Sequence, residues 1–156
     1  MLLLLGRENN CWTASYTDKR TMYKEKITLS EIEWKKRLTS EEFKILRKKE
    51  TEQPFTGRYV HNTKKGVYLC AGCGNELFSS DAKFDSGSGW LSFTASINPG
   101  HLEQKPDTSI GMKRTEIVCS RCGGHLGHVF DDGPKPTGCR FCINSAALHF
   151  KEIQTK

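Results

Sequence analysis

No stretch of this chain is apolar enough for long enough to cross a bilayer. Its compact apolar run, Leu2 to Leu5, is shorter than the apolar region of a secretory signal and far shorter than a membrane span. A strong charge imbalance is also missing. Lys and Arg number 24 against 18 Asp and Glu, leaving +6, much of it in Lys35-Lys36-Arg37 and Arg47-Lys48-Lys49. A solvated helix face accounts for such runs, and the excess is too small to mark a phosphate-binding surface. There is no low-complexity tract and no internal repeat beyond two short cysteine motifs. The cysteines number seven, and an odd count argues against a fully paired secreted framework. These absences point to a soluble protein bound to neither membrane nor nucleic acid, cytoplasmic by default. Arg7, Lys19 and Arg20 with nearby Ser and Thr leave an organellar-targeting reading of the N-terminus open, and Glu8 and Asp18 count against it.

What is present suits one domain with a sizeable core, given 156 residues. Residues 1–26 are polar, mixed in charge and without period, and are expected to form a flexible arm. The remainder, 27–156, is expected to be a single domain, with helices within 28–50 and a β core over 55–152. Ser30-Glu-Ile-Glu33 and Thr39-Ser-Glu-Glu42 are capping-box patterns that open two short helices. Ile32, Trp34 and Leu38 give the first an apolar surface; Phe43 and Leu46 give the second a stripe; Pro54 closes the region. Beyond Phe55, strand signals alternate with turn signals. Gly66 to Cys70, Glu116 to Cys119, His128 to Phe130, Arg140 to Ser145 and Leu148 to Phe150 read as strands, punctuated by Gly, Pro, Asn and Asp. The expected class is mainly β: antiparallel sheets forming a barrel-like or tent-like domain, with short N-terminal helices.

Six of the cysteines fall into three Cys-x-x-Cys pairs. Cys70/Cys73 and Cys119/Cys122 share one build, a strand running into a tight turn with a glycine after it (Gly74, Gly123). Two such turns supply four tetrahedral ligands, so one structural zinc per chain is expected, with no coordination position left open for catalysis. The third pair, Cys139-Arg-Phe-Cys142, lacks the glycine and a partner pair. In a strand its members lie roughly 10 Å apart at ~3.3 Å per residue, beyond the ~7 Å Cα separation a disulfide allows. Alternation puts Arg140, Cys142 and Asn144 on one face and Phe141, Ile143 and Ser145 on the other. A guanidinium beside a thiol favours the thiolate, which is the nucleophile. A buried structural cysteine is the competing reading of Cys142. His125 and His128 suit ligation, core hydrogen bonding or proton transfer. Trp90, after the glycine-rich Lys83-Phe-Asp-Ser-Gly-Ser-Gly loop, suits either a core or one wall of an apolar pocket.

The motifs together resemble the B-type methionine sulfoxide reductases, which act on the R epimer. The matching stretches are Pro54-Phe-Thr-Gly57, Lys65-Gly-Val-Tyr-x-Cys70-x-x-Cys-Gly74, Lys83-Phe-Asp-Ser-Gly-x-Gly-Trp90-x-Ser-Phe93, Gly111-Met112 and Arg114-Thr-Glu116. They continue through Cys119-x-x-Cys-Gly123, His125-Leu-Gly-His-Val-Phe-Asp-Asp-Gly-Pro134 and Pro136-Thr-Gly138-x-Arg140-x-Cys-Ile-Asn-Ser-Ala146. The resemblance covers about residues 40 to 150. It implies a catalytic Cys142 with Arg140, Asn144, His125 and His128 around it, a substrate site at Trp90 and Phe93, and zinc on Cys70, Cys73, Cys119 and Cys122. The implied activity is thiol-dependent reduction of methionine-R-sulfoxide in proteins, through a sulfenic acid on Cys142. Thioredoxin or another dithiol would regenerate the enzyme, and a monomer is expected.

Three positions depart from the family pattern. Ser88 stands where many members carry a resolving cysteine, and a hydroxyl cannot form a disulfide. That leaves Cys11, the favoured candidate, Cys139, or direct reduction by an external thiol. Leu91 replaces a usual proline and Phe141 a common tyrosine. Two other classes compete: a zinc-ribbon nucleic-acid module, which gives Cys142 and the histidines no role, and a thiol–disulfide oxidoreductase built on Cys139 and Cys142.

Overall fold

The computed structural model describes residues 25–109 and 111–154. Nearly all of the expected arm, with Cys11, lies outside them. The two helices form where the capping boxes place them. Helix α1 spans Glu31–Arg37 and α2 spans Ser40–Lys48; at Ser30 and Thr39 the hydroxyl accepts the N3 amide while the N3 glutamate accepts the cap amide. Each box is worth about 1 kcal/mol. Trp34, Phe43, Ile45 and Leu46 turn inward, and the Arg47 guanidinium covers the Trp34 ring at 4.7 Å and donates to the Cys122 carbonyl at 2.8 Å. The helices therefore sit over the cysteine turns.

The remainder is antiparallel β. Strands β1 (Gly66–Cys70), β2 (Glu76–Ser79) and β9 (Leu148–Glu152) make a three-stranded sheet in the order β2-β1-β9. The larger sheet runs β3-β4-β8-β7-β6-β5, from β3 (Lys83–Phe84), β4 (Leu91–Phe93), β5 (Leu102–Asp107), β6 (Arg114–Cys119), β7 (His125–Phe130) and β8 (Arg140–Ile143). The two sheets pack through aromatic rings: Phe78 stacks on Phe93 at 4.4 Å, Tyr68 meets Phe93 edge-on at 5.2 Å, and Phe78 leans on Phe141 at 5.7 Å. Among the described residues no helix is long and apolar enough to cross a membrane.

Four strands carry no sequence expectation: β2, β3, β4 and β5. Strand β5 reads Leu-Glu-Gln-Lys-Pro-Asp, which has little β character and an internal proline. It forms because it lies at the sheet edge, where a proline disrupts no central ladder. The strand expected over Arg140 to Ser145 ends at Ile143; Asn144 caps a 3-10 turn over Ser145–Ala147.

Candidate active site

One register row crosses the larger sheet: Lys105, Glu116, His128, Cys142, Ser92 and Phe84, each opposite the next. Directly opposed residues have Cβ atoms about 4.5–5.5 Å apart, so His128 and Ser92 flank Cys142. The adjacent row, Thr115, Val129, Phe141 and Phe93, faces the core. Cys142 is a free, partly buried thiol. Burial pushes it above the usual thiol range, and Arg140 pulls it back only in part. The expected thiolate-favouring arginine is therefore present with the expected sign, and desolvation outweighs it. One reason is that Arg140 is shared: it grips Asp132 through Nε at 2.8 Å and Nη2 at 3.2 Å, and lies over the Phe130 ring at 4.5 Å.

The histidine pair depends on a bulge. Residues three apart on a regular strand face opposite ways. Here Ile117 opposes Gly127 and Val118 opposes His125, so Leu126 is inserted and the alternation resets. The two rings lie 5.6 Å apart. His125 is buried, its Nδ1 lies 2.6 Å from Glu116 Oε2, and burial holds its pKa below the usual histidine value. Among the described residues its Nε2 has no hydrogen-bond partner. His128 is anchored through Nε2 to Asp107 Oδ2 at 2.7 Å, and Asp107 is held in turn by Arg114 at 3.1 Å. Bonds from Ser109 and His128 hold the Asp107 carboxyl well below the usual carboxylate range. Gly127 permits the close approach of β7 to β8: a Cβ there would collide with the Cys142 carbonyl.

A cavity of about 210 Å3 opens over Cys142, lined by Thr51, Ser88, Trp90, Arg114, Gly127, His128, Phe130, Arg140, Cys142 and Asn144. It is smaller than the roughly 300–1,000 Å3 of drug-sized ligand sites, the scale of a single side chain. The Trp90 indole donates to the Glu52 carbonyl at 3.0 Å, which fixes its plane even though leucine follows it. The Asn144 amide donates to the Leu126 carbonyl at 3.1 Å and accepts from the Glu52 amide at 3.2 Å, so it braces the backbone beside Cys142. Ser88 and Ser92 are joined through Ser86 by hydroxyl contacts of 2.7 and 2.8 Å.

Two expected site residues lie elsewhere. Phe93 is fully buried between Phe78 and Tyr68, on the core side of β4, because its register partner is Phe141 rather than Cys142. It packs the core and lines no part of the cavity. Cys139 is buried, beside the core-facing Phe141 and Ile143, and is disulfide-bonded, whereas Cys142 is free; the two are not bonded to one another.

The four knuckle cysteines come together away from this cavity. Their sulfurs all lie within 4.8 Å of one another, with Cys70–Cys122 at 3.6 Å and Cys73–Cys119 at 3.5 Å. A tetrahedron of thiolates about 2.3 Å from a metal has edges of about 3.8 Å, so the set fits one ion. Gly74 and Gly123 adopt φ +77° and +71°, and a Cβ at either would meet nothing within 4 Å. Glycine is needed there for its left-handed backbone, not for space.

A family model described as the SelR domain matches residues 38–152. The chain belongs to the SelR domain family. The protein named peptide methionine sulfoxide reductase MsrB from Methanosarcina barkeri is 58% identical over 130 residues, covering 83% of this chain and 92% of its own. Proteins of the same name from Leptospira interrogans and Bradyrhizobium diazoefficiens are each 56% identical, over 126 and 124 residues. They cover 81% and 80% of this chain, and 96% and 89% of their own.

Several residues of this SelR domain site escape sequence reasoning. Glu116 lies inside a quoted motif, Arg114-Thr-Glu, but only the bulged pairing of β6 with β7 brings it to His125. Asp107 gives no signal: it ends a polar segment that does not read as a strand. Glu52 looks like the frayed end of the helical region. Each acts through a partner at least nine residues away in the chain.

Proposed function

We propose that this chain reduces the R epimer of methionine sulfoxide in polypeptides to methionine, with Cys142 as the nucleophile. One observation carries the reading: a free thiol lies on the floor of a side-chain-sized cavity, with His128 opposite it on the next strand and an indole wall at Trp90. The naming of the relatives supports it.

The chemistry follows from the surroundings. The methyl group and thioether stem of the substrate rest against Trp90 and Phe130, which are apolar. The Cys142 thiolate attacks the sulfoxide sulfur, forming an S–S bond as the S–O bond breaks and the oxygen leaves as hydroxide; that hydroxide then attacks Cys142 Sγ, breaking the S–S bond and releasing methionine. His128, anchored by Asp107 through Nε2, has no hydrogen-bond partner at Nδ1 among the described residues, and as the imidazolium it hands the Nδ1 proton to the departing oxygen. The products are methionine and a sulfenic acid on Cys142, so the thiol is oxidised by two electrons while the substrate sulfur is reduced by two. Two external thiols, or one dithiol of the thioredoxin type, return Cys142 to the thiol and release water. Ser88 lines the cavity but offers only a hydroxyl, which supports a reductant reaching Cys142 from outside. Cys70, Cys73, Cys119 and Cys122 would hold one zinc, which supplies folding energy and leaves the reaction to Cys142.

The test is consumption of N-acetyl-methionine-R-sulfoxide with dithiothreitol as reductant. The wild-type chain should consume the R epimer and leave the S epimer. Consumption of neither, or full activity in Cys142→Ser, would remove the reading.

A further inference from the structure

The segment between α2 and β1 takes no part in the chemistry above, yet it closes one side of the cavity. Thr51 lines the cavity. The Glu52 carbonyl accepts from the Trp90 indole at 3.0 Å, and the Glu52 amide donates to Asn144 Oδ1 at 3.2 Å. Farther along, the Phe55 amide donates to the Gly89 carbonyl at 2.7 Å, one residue before Trp90. Phe55 does this at φ +66°, with its ring exposed, so ring burial does not hold the conformation. The strap thus meets the cavity wall on one side and the end of β8 on the other. Both contacts of Glu52 at the cavity are backbone contacts. They persist only while the strap stays docked.

The side chain does the docking. The Glu52 carboxylate accepts the backbone N–H of Ser145, three residues after Cys142. Gly57 lies over that contact: a Cβ there would come within 2.5 Å of Ser145 Oγ and 2.7 Å of Glu52 Oε2. The Tyr59 amide then donates to Ser145 Oγ at 3.3 Å, so the strap closes over Ser145 from both ends.

We propose that Glu52 is a positioning residue for this site: its carboxylate clips the 51–55 strap to Ser145 and so sets the Trp90 wall and the Asn144 amide around Cys142. The assignment rests on the reductase reading for its kinetic consequence, but its electrostatic consequence does not. Burial is the main cause that raises the Cys142 thiol; Arg140 opposes it, and Glu52 and Asp132 add to it. The other charged groups on that face are His128 of β7, the Asp107–Arg114 pair of β5 and β6, and farther from Cys142 Lys105 of β5 and Glu116 of β6 with its partners His125 and Lys49, while β4 contributes the neutral Ser92. Glu52 itself faces Glu41 of α2 and Arg58, and burial raises its carboxyl above the usual range.

The experiment compares the wild-type chain, Glu52→Gln and Glu52→Ala. It reads kcat/KM on N-acetyl-methionine-R-sulfoxide, and the pH midpoint for iodoacetamide alkylation of Cys142, followed by mass spectrometry of its peptide. The glutamine oxygen can still accept from Ser145, so Glu52→Gln should keep kcat/KM within about threefold. Glu52→Ala leaves that amide without its partner and should lose about tenfold or more. Both variants remove a negative charge, so both should move the alkylation midpoint to lower pH. Equal losses in the two variants, or an unmoved midpoint in both, overturns the assignment. Where Glu52→Ala fails to fold, the midpoint in Glu52→Gln decides. A wild-type chain inactive on the sulfoxide sinks the reductase reading instead, and the midpoints still judge Glu52.

Discussion

The chain uses thiols in two places, and the places differ in almost every physical respect. At the knuckles four sulfurs crowd within 4.8 Å, buried beneath α1 and α2, each pair on a turn that only glycine completes. At β8 a single thiol faces a cavity, with a histidine opposite, an arginine two residues before it and an asparagine two residues after. The knuckle cysteines act only as a set, and their chemistry is spent on one another or on a shared ion. Cys142 stands apart from them, and its thiol is set by burial and by charged neighbours, Arg140 first among them. Sequence neighbourhood announces the first kind of site, because its spacing is local. The second kind is announced only in part.

That contrast can be broken at four points. The largest effect is expected from Cys142→Ser, which should drop sulfoxide reduction to background while the bound metal and the melting temperature stay as in the wild type; parallel loss of metal would mean that the two sites are not separate. Next, Cys119→Ser or prolonged chelation should remove the metal, about one ion per chain by elemental analysis, and lower the melting temperature by ten degrees or more, since such sites contribute folding energy directly. Activity should fall only as the fold is lost. A smaller effect distinguishes the two faces of the sheet. Phe93→Leu should cost about 1–2 kcal/mol in a denaturant titration, as a core packing change, with KM for the sulfoxide little altered. Trp90→Ala should do the reverse, raising KM while changing stability less. The smallest effect is electrostatic. Arg140 is the group that lowers the Cys142 thiol against its burial, so Arg140→Met should move the alkylation midpoint to higher pH. A fall instead would mean that the Arg140–Asp132 pair acts on Cys142 mainly through Asp132.

The legible part of the molecule is uneven for identifiable reasons. Both helices were legible because a capping box is a four-residue signal with its partners inside it. The opposed faces of Arg140–Ile143 were legible because alternation needs only a strand, and the burial along it does alternate. The extra strands were not, since β5 is polar and holds its place through pairing with β6. Phe93 illustrates the same limit: its motif suggests a site, and its register partner Phe141 assigns it to the core. The raised Cys142 thiol is another case, because the arginine is visible in sequence and the depth of burial is not.

By itself the sequence determined what depends on short spacing: two glycine-backed knuckles able to hold one metal, two capped helices, and a thiol sharing a strand face with an arginine and an asparagine. Only the tertiary structure decided what depends on register and approach. A bulge at Leu126 brings His125 and His128 to one side of β7, β5 delivers Asp107 to His128, and a strap far upstream delivers Glu52 to Trp90 and Ser145. The physical reason is common to all of them. A hydrogen bond between distant segments leaves no periodic trace in either one, so it can be read only where the chain has folded to make it.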